Sequence, residues 1–456
     1  MPITQPLRAL AANPNYFTDG TGKAILLTGS HSWNTFQDWG TDGSPEPLDF
    51  TAFVNVLVRH RHNFTLLWVT ELPVFRGLPT TASSPPDFTV APFPWMRTGP
   101  GSASDGKPKF DLTKYDQGFF DRLRSRVREL GEAGIYAGVY LFSGEWILRF
   151  RFAGDGYPFT GSNNVNGIDD GGGMGSVTMT EPNPITAIQD AYVGKMVETL
   201  NDLPNVLWIV SQEAPKESKW WNAHLIAVTR ACEAGKPLRH PVGFGAMDST
   251  PDSVLLDSDA DWIAPGARIS PPRSCGAGHP ACKVNINDSD HSYWEIWKDS
   301  PQVNRNYFWI NLTQGNQAMF MDPYVVHYPR ENRNLPPSPV HGIAQGPDAR
   351  WDQVRATMGL IRDYADRMNL AAMTPRADLA STGHALADPA NREVLVYSPS
   401  GGGFTVDLAG GPGTYAVEWM NPATGSKVAG EEVQGGAART FSPPFDGDAV
   451  LYLKEK

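Results

Sequence analysis

Residues 205–215, NVLWIVSQEAP, decide how the rest of the chain is read. Val206 to Val210 is an unbroken apolar run, and Ser211, Gln212 and Glu213 end it abruptly. Such a run fits a strand covered on both faces, as strands are in parallel sheets. A carboxylate just beyond a buried strand faces a pocket rather than bulk water. The flanking segments, 185–202 (ITAIQDAYVGKMVETLND) and 220–235 (WWNAHLIAVTRACEAG), have helical character. Helix, buried strand, helix is the repeat of an α/β fold.

The same alternation extends both ways. Residues 13–29 (NPNYFTDGTGKAILLTG) read as a hairpin around Asp19-Gly20, its second run delivering His31 and Trp33. A helical segment, 48–61, precedes the strand NFTLLWVTELP (63–73), which ends in Trp68 and Glu71. The amphipathic stretch 119–134 leads into IYAGVYLF (135–142), followed by Glu145 and Trp146. Further strands are expected in HPVGFGAM (240–247), DWIAPG (261–266), KVNINDSDHSYW (283–294) and NYFWINLTQGNQAMFM (306–321), the last carrying Trp309 and Asn311. Helix 352–368 closes the series. About eight strands interleaved with helices predict an α/β fold, a (β/α)8 TIM barrel. A doubly wound sheet is the alternative, but it would not place polar and aromatic residues after nearly every strand. Long loops are expected over about 76–108 and 156–175. From residue 376 the pattern changes to short strands parted by Gly, Pro and Asn. The expectation is a barrel over 1–375 with an N-terminal hairpin, and a C-terminal all-β sandwich over 376–456.

Composition narrows the function. A formal charge of -11 without a Lys/Arg run excludes the basic face that nucleic acid requires. No apolar stretch is long enough to span a bilayer, so no membrane partner is expected. The N-terminus lacks a signal-peptide core; the chain is cytoplasmic as written, or secreted or periplasmic after removal of a signal. Cys275 and Cys282 flank a Gly/Pro loop at a spacing a disulfide can close, with reduced thiols the alternative, and Cys232 lies in a helical pattern. No metal or cofactor motif stands out; the IDDGGGMG run (168–175) has calcium-like composition, but Gly/Asp loops are usually turns. Oligomeric state is not legible.

Two carboxylate placements carry the chemistry. Glu213 ends the fourth strand, and Asp288 and Asp290 follow the seventh, beside His291. Cleaving a glycosidic bond takes two carboxyl groups facing each other across it, one acid and one nucleophile or base. Glu213 is the expected acid/base. Asp288, at the strand end, is the preferred nucleophile, and Asp290, in the loop, the alternative; one of them can equally be an Asx-turn or helix cap. His31, Trp33, Trp68, Glu71, Glu145, Trp146, Gln212, His291 and Trp309 are candidate substrate contacts with a carbohydrate. Gln212 is suited to the hydroxyl next to the anomeric carbon. The rivals are an inverting hydrolase on the same barrel and a non-catalytic carbohydrate-binding protein.

Several stretches also carry a resemblance. NPNYFTDGTGKAILLTGSHSW (13–33), RHNFTLLW (61–68), residues 110–142, LASTGHALA (379–387) and VEWMNPATG (417–425) resemble the apiosidase-like glycoside hydrolases. That family pairs a barrel with a C-terminal domain named for collagen binding. The resemblance implies retaining hydrolysis of plant or microbial polysaccharide side chains. It extends to clan A glycoside hydrolases, where an Asn-Glu pair ends the fourth strand and a Glu nucleophile the seventh. Gln212-Glu213 and Asp288 fall at those places. The chain departs twice, with Gln for Asn and Asp for Glu, and the apiosidases themselves resemble the reverse, with Asp at the acid/base place.

Overall fold

The computed structural model describes residues 2–40, 43–76, 87–172, 175–247, 250–266, 283–289, 301–322, 324–326, 344–347 and 349–456. Eight parallel strands form a (β/α)8 barrel: Thr28–His31, Phe64–Leu67, Tyr136–Ser143, Val206–Gln212, Val242–Gly245, Trp262–Ala264, Val284–Asp288 and Gln317–Met321. The eighth pairs with the first, from Ala318 opposite Thr28 to Met321 opposite His31. The ring closes between the first and second strands. There Asn63 donates its backbone N–H to the Thr28 carbonyl (3.1 Å) and accepts from Thr28 N at Oδ1 (2.9 Å). Thr65 Oγ1 adds a bond to Ser30 O (2.8 Å). Gly29 permits this seam, because a Cβ there would lie 2.0 Å from Phe64 O. The strands are buried nearly throughout, as the apolar runs require.

Helices Phe50–Arg59, Gln117–Glu132, Thr186–Leu200, Lys219–Glu233, Pro301–Thr313 and Asp352–Arg367 pack outside. Asp49 and Asp116 cap the first two through Ala52 N and Gly118 N (both 2.9 Å). At the barrel's end Arg355 is buried against Asp322, with Nε–Oδ2 at 2.7 Å and Nη2–Oδ1 at 2.6 Å. This fork ties the last helix to the residue after the eighth strand.

Three expectations need correction. Trp309 and Asn311 lie on helix Pro301–Thr313, not on the last strand. The aromatic, β-branched run YFWI reads as strand by composition, but the helix continues to Thr313 and turns at Gly315 (φ 74°). The stretch around 76–108 is not simply a loop. Its described part forms strand Asp87–Ala91, paired with Asp38–Gly40 and Val74–Arg76, and the ribbon Trp95–Ser102 with Pro108–Tyr115. Its Gly and Pro content masked that pairing. The N-terminal hairpin is reduced to one antiparallel bridge, Phe17 to Ile25, while Phe17–Thr18 pairs with Arg8–Ala9.

After helix Asp352–Arg367 the chain is β apart from one 3-10 turn at Ala377–Leu379. Antiparallel strands Glu393–Ser398, Ala449–Glu455 and Thr414–Met420 form the centre of one sheet. Phe404–Asp407 pairs with Ala438–Phe441 across a core of Leu379, Val394, Val406, Trp419 and Leu451. This sandwich docks on the barrel through Trp309, Tyr364, Tyr397, Met420 and Tyr452. Buried Arg305 forks onto Asp448 at 3.1 and 2.8 Å across the same boundary. Among the described residues no helix is long and apolar enough to cross a membrane.

Candidate active site

Barrel enzymes build their sites where the strands end at their carboxyl side. His31 closes the first strand and is fully buried. Its Nε2 lies 2.8 Å from Oδ2 of Asp288, the last residue of the seventh strand. Asp288 keeps 19% of its side chain exposed, while His31 keeps none. The backbone carbonyl of Asp288 accepts from the Tyr307 hydroxyl at 2.8 Å, so helix Pro301–Thr313 also fixes this strand end. Trp68, just past the second strand, donates its indole N–H to His31 Nδ1 at 2.8 Å.

Glu71 follows on the same segment. It is buried, and its carboxylate accepts from the backbone N–H of Ser143 (3.1 Å to Oε1) and from the Ser143 hydroxyl. Burial pushes its pKa up to about 7, against the lowering pull of those bonds. Ser143 stands opposite Gln212 in the sheet, and Gly144 N donates to Gln212 O (2.8 Å). Glu71 thereby anchors the third strand's end beside the fourth.

The fourth strand ends on Gln212 and Glu213. Ser211 turns to the helix layer, where its Oγ meets Asn222 Oδ1 (2.5 Å). Strand alternation turns Gln212 the other way. Its amide is buried, and neither polar atom has a hydrogen-bond partner among the described residues. Glu213 is half-buried and adopts φ 42°, a left-handed conformation costly for a non-glycine residue. Strain of this kind, on the order of 1–3 kcal/mol, persists where the surroundings impose it and clusters at functional sites. The bonds around it do so: Ala214 N donates to Gly245 O, and Met247 N to Ala214 O, both at 3.2 Å.

Trp33 and Trp146 are buried and meet edge-to-face at 5.2 Å. Phe75 stacks on Trp146 at 4.5 Å, and Trp39 meets it edge-on at 5.3 Å. These aromatics form a packed wall beside the strand ends rather than open platforms. Glu145 opens the short helix Glu145–Arg149 after the third strand. Trp309 does not join the others: it is buried under the sandwich, its ring stacked on Tyr397 at 6.0 Å. The YFWI run that misplaced it on a strand also misplaced it at the site. Asp290, His291, Cys275 and Cys282 lie outside the described residues, and Cys232 is a half-buried free thiol.

In the glycine-rich loop Asp169 accepts from Gly161 N and Gly171 N (both 2.8 Å), and Asp170 pairs with Arg151 at 3.2 Å. Both carboxylates thus have protein partners, and among the described residues no group of three or more acidic, His or Cys side chains could hold a metal ion.

Sequence reasoning missed Tyr307, Trp39 and Asn34. Asn34 is fully buried three residues past His31, with neither amide atom partnered among the described residues. A polar residue directly after the SHSW strand end was the available signal.

Residues 377–454 match the family model described as "Putative collagen-binding domain of a collagenase". Over the whole length the chain is similar to a glycoside hydrolase family 5 structure from Bacteroides vulgatus. They share 14% identity with a TM-score of 0.65, over 99% of this chain and 94% of that one. A second structure, named a glycoside hydrolase, has 14% identity and a TM-score of 0.64, over 99% and 97%. At such identities the likeness is one of fold. No curated protein matches.

Proposed function

We propose that the chain is a retaining glycoside hydrolase acting on a plant or microbial polysaccharide or glycoside. Glu213 is the acid/base and Asp288 the nucleophile. The observation that carries this reading is the pair of strand ends. Asp288 is held against His31 on the seventh strand, and a half-buried Glu213 sits in a left-handed turn at the end of the fourth. Two strands lie between them in an eight-stranded ring, and both residues stand at carboxyl ends of parallel strands, which open on one mouth. Gln212 supplies a buried amide suited to a sugar hydroxyl. The apiosidase-like resemblance and the fold of the neighbours support the reaction class.

In the first step Glu213 gives its proton to the leaving oxygen while an Asp288 oxygen attacks the anomeric carbon. Glu213 then takes a proton from a water whose oxygen attacks the same carbon, which breaks the bond to Asp288 and releases the sugar with its configuration retained. The geometry required is a carboxyl separation of about 5–5.5 Å. Once a panel of aryl glycosides and glycans has supplied a substrate, NMR of the first-formed product anomer tests the reading. Retention is expected, and inversion would overturn it.

A further inference from the structure

The mouth holds a relay that the two carboxylates do not account for. An indole nitrogen only donates, so His31 Nδ1, which receives the Trp68 N–H at 2.8 Å, presents a lone pair. The ring proton of a neutral His31 therefore sits on Nε2, the atom 2.8 Å from Asp288 Oδ2. The other tautomer would turn a lone pair toward the carboxylate, and an imidazolium would set Nδ1–H against the indole N–H. The two rings lie only 17° from parallel, centroids 5.8 Å apart, so the bond holds the imidazole nearly in the plane of the indole. The Nε2 contact is at ion-pair distance without full hydrogen-bond alignment, a geometry that substrate binding commonly tightens.

We propose that Trp68 is a positioning residue: it locks His31 in the Nε2–H tautomer, which holds Oδ2 of Asp288 and so orients that carboxylate. The catalytic half rests on reading Asp288 as the nucleophile; the tautomer half stands without it.

The test is 15N-resolved NMR of the imidazole nitrogens, with His31→Gln assigning the His31 signals among the ten histidines. The wild type should carry the proton on Nε2. Trp68→Phe keeps the aromatic bulk, removes the N–H and should give a mixed tautomer. Its kcat should fall about tenfold, the worth of one hydrogen bond, at unchanged KM. A wild-type proton on Nδ1 would overturn the proposal whether or not the variant folds. So would an unaltered His31 spectrum in Trp68→Phe, or a lost tautomer with kcat intact. If no glycoside is cleaved yet the tautomer is found and then lost, the glycosidase reading fails and the Trp68 lock stands.

Discussion

Glu71 is the residue whose chemistry departs furthest from its solution behaviour near neutral pH. Burial raises its pKa from 4.5 to about 7, so the folded protein favours the protonated form. The sign follows from linkage: the folded state binds more protons between those values, so this group's contribution is full below pH 4.5 and is lost as pH rises through 7. Glu71→Gln, which never ionises, should gain on the wild type as pH rises from 5 to 8, by up to about 3 kcal/mol. Denaturant melts at the two pH values check this; a gap that does not widen would remove Glu71 as a buried, proton-holding group. At this scale the sequence was partly legible. Strand-end position picked out Glu213, Gln212, Asp288, His31 and Glu71, because a polar residue after an apolar run has one place to go in a barrel. What each one touches was not legible. The Trp68–His31 bond spans 37 residues and the Trp33–Trp146 contact joins segments still further apart, and no local pattern encodes them.

Among the elements, the seam between the first and second strands is the most sterically exacting. Gly29→Ala would drive a methyl to 2.0 Å from the Phe64 carbonyl, and backbone cannot yield as a side chain can. Separating the strands strains the Asn63 and Thr65 bonds and shifts His31, two residues on. The expected cost is about 1–3 kcal/mol, or more. Activity of the folded fraction should fall as well, because His31 moves relative to Asp288. Thermal melts with activity measured below the transition decide it; a variant with wild-type stability would mean the seam is looser than described. Apolar runs and capping residues made most elements readable. The failures came where composition was ambiguous. The YFWI run suits strand and helix alike, and only its packing between the barrel and Tyr364 and Tyr397 selects the helix. The ribbon strand Trp95–Ser102 looked like a loop because its Gly and Pro residues hide the strand pattern, and its partner Pro108–Tyr115 begins only where that stretch ends.

For the whole molecule, barrel and sandwich share an apolar boundary reinforced by the buried Arg305–Asp448 fork, so the tail braces helices Pro301–Thr313 and Asp352–Arg367. Tyr307, which holds the Asp288 backbone, belongs to one of those helices. This bracing is a structural role for the tail and needs no collagen. The β/α alternation and the change of pattern near residue 376 were legible because periodicity and turn residues are local signals. The division at 375/376 stays a proposal, since the boundary residues pack against both parts. The reading of the molecule as a glycosidase comes down to Glu213. On that reading Glu213→Gln removes the proton donor, so a natural glycan with a poor leaving group should lose nearly all turnover. An activated aryl glycoside should keep most of its first step, and added azide should rescue the second. The most direct measurement is therefore the rate of Glu213→Gln on both substrate types, with and without azide. Loss on the glycan with azide rescue on the aryl glycoside is the predicted result; full activity of Glu213→Gln on the glycan would contradict it.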